Sequence, residues 1–201
     1  HWFMWASIER KPGVYDWSDY DRQLDLAARH GIKTIIAELT HTVPDWAYRR
    51  FAHARQIRAD GRPLTSNMGV SSSTGGFASN GGGAGALTMN CPEVKEAVGA
   101  FLKALATRYK GHPGLLGYDV WNEVNYAPDV DFSEWMKTDY RVWLRAKYGS
   151  LDALAEAWYR YSYAEWDDIE PPTEVAAFAE GLDWLEFKRQ NYYAQMQFKI
   201  D

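Results

Sequence analysis

The stretch Leu115–Trp121, LLGYDVW, constrains this chain most. It is a short apolar run behind the turn signal Gly111-His112-Pro113-Gly114, and it reads as a fully buried strand. The run ends in Asn122-Glu123, two polar residues set just beyond an apolar stem. In a parallel α/β sheet or barrel, chemistry is placed at the C-terminal ends of strands. A carboxylic acid held half out of water there has a raised pKa and suits general-acid work near neutrality. A strand-end Glu that only caps a loop or pairs with an Arg has the same local sequence, so the dipeptide alone leaves both readings open.

The segments before this strand repeat one unit. Trp2–Ala6 reads as a strand, and Glu9–Trp17 as a turn built on Pro12-Gly13. Ser18 is positioned to cap a helix, with Asp21 three residues on in the capping-box position. Tyr20, Leu24, Ala27 and Ala28 give that helix an apolar face, and Gly31 closes it. Lys33–Leu39, KTIIAEL, is a β-branched strand, which completes a strand–helix–strand unit with an expected right-handed crossover. Thr40–Phe51 follows as a loop with Pro44 near a first helical turn, and it brings His41, Asp45 and Trp46 to the same end of the sheet as Glu123. His41 has no second histidine at ligand spacing and reads as a hydrogen-bonding wall residue.

Ser66–Ala86 is rich in Gly and Ser. It lacks the Lys-Ser or Lys-Thr end of a phosphate cradle, and since a loop this long inside a compact domain is usually functional or disordered, a mobile active-site loop is expected. Asn90 is placed to cap the next helix, with Pro92 near its start and Val94, Val98, Phe101, Leu105 and Tyr109 as its stripe. After the Leu115 strand the pattern is helical over Asp131–Tyr148, Leu151–Tyr159 and Thr173–Asp201, the last with an expected break at Gly181. The order β-α-β-loop-α-β-α-α-α matches part of a parallel α/β barrel. Three strands cannot close one, and the chain begins in a strand and stops in a running helix, which is the expectation for a fragment.

Composition narrows the function. The 10 Trp and 13 Tyr suit a thick core plus a site that stacks flat-faced ligands such as sugar rings. A net charge of −5 gives no basic footprint for nucleic acid. Cys91 is the one cysteine, so neither an internal disulfide nor a cysteine-based zinc site is expected. No apolar run approaches the ~20 residues that span a bilayer. No membrane partner, no cofactor and no metal are therefore expected, and the single cysteine with no visible leader favours the cytoplasm.

Taken together, FMWASIERKPGVYDWSDYDRQLDLAARHGIKTIIAE, VPDWAYRRF, DVWNE, WLRAKYGSLDALAEAW and WDDIEPP followed by LDWLEFKRQNYY resemble glycoside hydrolase family 42, the β-galactosidases of a large clan of barrel glycosidases. The resemblance covers nearly all of the chain. It implies an α/β fold that is part of a (β/α)8 TIM barrel, strands two to four with their following helices, so that residues 1–201 form a partial catalytic domain. It also implies that Glu123 is the acid/base and that Asn122 hydrogen-bonds the sugar 2-hydroxyl. The nucleophile, a second Glu after strand seven, would lie beyond Asp201. Retaining hydrolysis needs two carboxyl groups about 5–5.5 Å apart, one to protonate the leaving oxygen and one to attack the anomeric carbon. Trp46, Glu38, His41 and Trp5 are the expected substrate-binding wall. A carbohydrate substrate follows, and a homo-oligomer, by resemblance a trimer.

The sequence departs from the family twice. Thr88-Met89-Asn90-Cys91-Pro92 lacks the Arg that family members usually carry before this Cys-Pro to touch the sugar. Some members also bind structural zinc through several cysteines, which one cysteine rules out. The missing Arg and the glycine-rich loop keep open a glycosidase of the same mechanism acting on a glucan, mannan or arabinoside. Because the 201 residues stop short of the expected nucleophile, a carbohydrate-binding pseudo-enzyme is a third reading.

Overall fold

Three parallel strands carry the architecture: β1 (Trp2–Met4), β2 (Thr34–Leu39) and β3 (Leu115–Asp119), in the order β1-β2-β3. The computed structural model describes residues 1–40, 42–64, 84–120, 130–174 and 178–201, apart from the side chains of Trp2, Glu38 and Leu39. Phe3 pairs with Glu38 and Thr34 with Leu115, with one register irregularity between Thr34 and Ile35. Helix α2 (Ser18–Arg29) joins β1 to β2, and α4 (Pro92–Tyr109) leads into β3. That is the repeated crossover of a parallel sheet.

The helices form where periodicity places them. Val94, Val98, Phe101, Leu105 and Tyr109 of α4 are all buried, packed with Phe3, Leu24 and Ile36. Trp17 stacks on Phe101 with ring centres 6.2 Å apart. Asp21 locks α2 to α4, accepting from the Arg108 guanidinium at 2.5 and 3.2 Å and from the Tyr109 hydroxyl at 2.9 Å. Burial above all, and then this hydrogen bond, push the Tyr109 phenol far above its ordinary pKa.

A second core lies beyond β3, among α5 (Glu134–Tyr148), α6 (Leu151–Trp158) and α7 (Ala179–Ile200). Met136, Tyr140, Leu144, Leu154, Trp184 and Phe187 fill it. Asp183 is buried at its edge and satisfied by three donors: the Lys147 amine at 2.7 Å, the Tyr148 hydroxyl at 2.6 Å and the Trp158 indole N–H at 2.8 Å.

Several local expectations are corrected. The first strand stops at Met4, and Trp5–Ile8 forms a short helix, α1, because Glu9 both bonds the Trp5 carbonyl through its N–H and receives the Trp5 indole N–H at 2.6 Å. Ser18 is the first residue of α2 rather than its cap; Asp16 accepts from the Ser18 N–H and hydroxyl instead. The loop after β2 contains a helix, α3 (Asp45–Arg50), with Pro44 as its N-cap. Cys91, not Asn90, is the N-cap of α4. Asp131 and Phe132 lie outside α5, which Ser133 caps by accepting from the Met136 N–H. The last helix begins at Ala179 and runs through Gly181 without a break.

β3 is not buried on both faces. It is an edge strand among the described residues, with Leu116 65% and Tyr118 40% exposed. Two parallel edges with unpaired N–H and C=O groups favour aggregation. The 201-residue chain expressed alone is therefore expected to aggregate rather than give a sharp two-state melt as a monomer, which light scattering with thermal denaturation checks.

Candidate active site

The three strands end side by side, at Met4, Leu39 and Asp119. The segments that leave them are tied together. The Ala6 N–H donates to the Thr42 carbonyl at 2.8 Å, joining the chain after β1 to the chain after β2. Thr40 and Thr42 are buried there, and the buried Lys199 amine, from the end of α7, donates to the Thr40 hydroxyl oxygen at 3.0 Å.

The chain from Val130 onward is held against the segment around Ile57. Val130 bridges antiparallel to Arg58, and the Phe132 N–H donates to the Ile57 carbonyl at 2.8 Å. The buried Asp131 carboxylate accepts from the Ile57 N–H at 3.0 Å, the Ser133 N–H at 2.7 Å and the Ser133 hydroxyl at 2.9 Å, and the Thr88 side chain adds a further hydrogen bond. Lys188, also buried, donates to the Val130 carbonyl and sits over the Trp184 ring. Val130 and Asp131 are thus fixed to packed elements by this polar cluster.

Burial pushes the Asp131 carboxyl above its ordinary pKa, and the four hydrogen bonds pull it part of the way back. Between the ordinary and the raised pKa the native state holds a proton that the unfolded state lacks. Stability from this group therefore falls as pH rises through that window. Asp131→Asn keeps the shape and one acceptor oxygen but cannot titrate. Urea unfolding of the full-length protein across acid to neutral pH is expected to show wild-type stability falling relative to Asp131→Asn as pH rises.

The sequence-derived residues are distributed as follows. His41, Asn122 and Glu123 lie outside the described residues, and Glu38 occupies β2 with its side chain outside them. Trp46, on α3, is half-buried; its indole N–H donates to the Glu9 carbonyl at 2.8 Å. It borders a cavity of about 270 Å³ with Tyr15, Arg50, Glu93 and Glu96. Trp5 requires a correction. It is fully buried, stacked on Phe101 at 5.8 Å and edge-on to Trp46 at 6.1 Å, so neither ring face is open to a ligand and its role is core packing.

Asp131, Lys188 and Lys199 escape sequence reading. Asp131 looks like the first residue of a helix, and both lysines look like solvent-facing positions on a long one. Only tertiary contacts across 58 residues for Lys188 and 159 for Lys199 give them partners.

Parallel strands joined by crossover helices, with polar groups near their C-terminal ends, are the architecture of an α/β sheet or barrel whose site lies at those ends. The chain belongs to glycoside hydrolase family 42: the family model described as β-galactosidase matches residues 1–200. A curated β-galactosidase of Geobacillus kaustophilus is 27% identical over 191 residues, covering 93% of this chain and 26% of the relative. The solved β-galactosidase of the psychrophilic Marinomonas ef1 superposes with a TM-score of 0.79 at 26% identity, over 98% of this chain and 29% of that one. A β-galactosidase of Rahnella sp. R3 gives a TM-score of 0.81 at 24% identity, over 98% and 27%, a likeness of fold. The chain spans about a quarter of the length of the curated relatives it matches.

Proposed function

We propose that this chain works within a retaining β-galactosidase, carrying its acid/base but not its nucleophile. The observation that supports this best is the family match over residues 1–200, which includes β3 and, three residues after it in sequence, Asn122-Glu123. In the first step Glu123 gives its proton to the glycosidic oxygen as the bond to the anomeric carbon breaks, while a carboxylate from beyond Asp201 attacks that carbon. In the second step Glu123, now a carboxylate, takes a proton from the water that displaces the sugar. Asn122 holds the 2-hydroxyl, and Glu38, His41 and Trp46 form the wall. The association into a homo-oligomer is part of the same proposal, with light scattering on the full-length protein as its check.

A panel of chromogenic β-glycosides tests the substrate. The full-length protein is expected to have its highest kcat/KM on the galactoside. Highest kcat/KM on a glucoside, mannoside or arabinoside would move the substrate assignment while leaving the mechanism in place.

A further inference from the structure

Cys91, His53 and Glu93 converge from two segments that lie 38 residues apart. His53 sits in a 3-10 turn, Ala52–Ala54, while Cys91 caps α4 and Glu93 belongs to its first turn. The His53 Nε2 atom is 2.9 Å from Glu93 Oε2 and 3.9 Å from Cys91 Sγ, and the three donor atoms all lie within 4.8 Å of one another. Cys91 is fully buried, and its side chain takes no part in capping the helix. Its sulfur instead faces the imidazole. We propose that His53, Cys91 and Glu93 form a three-donor site for Zn²⁺ or a divalent ion of similar softness, tying the 3-10 turn to the start of α4.

The donor chemistry selects the ion. Sulfur and imidazole nitrogen suit Zn²⁺, whereas Mg²⁺ and Ca²⁺ take oxygen shells. A thiolate and a carboxylate beside a neutral imidazole carry two negative charges, which one divalent cation neutralises. Bonds of about 2.3 Å to sulfur and about 2.0–2.2 Å to nitrogen and oxygen place tetrahedral donors about 3.4 Å (N to O) and about 3.6 Å (S to N) apart. The observed 2.9 and 3.9 Å differ from these by about 0.5 Å or less. The Cys91–Glu93 pair, within 4.8 Å, closes to about 3.6 Å by a shift of up to about 1.2 Å that the exposed Glu93 side chain can make. Binding replaces the His53–Glu93 hydrogen bond with two metal bonds and releases the Cys91 thiol proton to solvent. The side chains of His53 and Glu93 are 50% and 58% exposed, which leaves an entry path and a fourth position for water. The one cysteine that excludes a several-cysteine zinc site thereby serves in a mixed one, which no short-range ligand spacing announces.

Cobalt reports on such a site directly. The full-length protein, stripped with chelator and titrated with Co²⁺, is expected to show a near-ultraviolet thiolate-to-cobalt charge-transfer band that Zn²⁺ abolishes. Cys91→Ser should lose the band. His53→Ala and Glu93→Gln should retain it at saturation but weaken Co²⁺ binding by at least about tenfold, since loss of even an outer-shell partner costs that much. Absence of the band in the wild-type protein, or its survival in Cys91→Ser, overturns the proposal. His53 is half exposed, so His53→Ala keeps the test open if Cys91→Ser fails to fold; unchanged Co²⁺ affinity in that variant also overturns it.

Discussion

Glu123→Gln in the full-length enzyme is expected to lower kcat on a β-galactoside with a poor leaving group by about 10²–10⁴-fold, the usual contribution of a positioned general acid. The amide has the shape of the acid but no proton to give, so the departing alkoxide must leave uncompensated. A galactoside with an activated leaving group, such as a dinitrophenolate, needs no protonation, and its first step should be largely spared. The split between the two substrates separates loss of the acid from general damage to the site. A loss of less than about tenfold on the poor substrate would contradict the acid role.

Asp131→Ala should be among the most destabilising single truncations in this chain. It strands the Ile57 and Ser133 N–H groups and the Ser133 hydroxyl, all of which point at the buried carboxylate. A buried donor left unpaired costs about 1–3 kcal/mol. With three donors stranded, we expect a loss of about 3–5 kcal/mol in urea unfolding of the full-length protein. Activity is expected to fall with it, because Asp131 lies eight residues after Glu123, the proposed acid/base. Asp131→Asn separates the two effects, since it retains most of the hydrogen bonding and should retain most of the stability at neutral pH.

What the sequence discloses is the part governed by local periodicity. The five-residue stripe of α4 and the β-branched run of β2 are legible because burial of one face repeats at 3.6 or 2 residues. The errors come where a distant partner overrides a local rule. Asn90 has the side chain of a cap, but Asp139, Asn191 and Gln195, 49 to 105 residues away, engage it, and the cap position passes to Cys91. Trp5 has strand propensity and aromatic character suited to a sugar, yet its bond to Glu9 turns the chain into a helix and buries the ring. Glu123 lies outside the described residues, and its reading as the acid/base rests on its place in the sequence after an apolar run and on the family resemblance. The polar cluster around Asp131 was not legible, because Asp131 and Lys188 show no spacing that links them to Ile57 and Val130.

The central claim, that Glu123 is the acid/base of a retaining enzyme, is tested most directly by azide. In Glu123→Ala, acting on an activated β-galactoside, the galactosyl-enzyme should form but await a base for its hydrolysis. Azide needs no base and fits the space left by the carboxylate. The account predicts faster turnover with added azide and β-galactosyl azide as the product. No rescue, or the α-azide, which would mark Glu123 as the nucleophile, would contradict it.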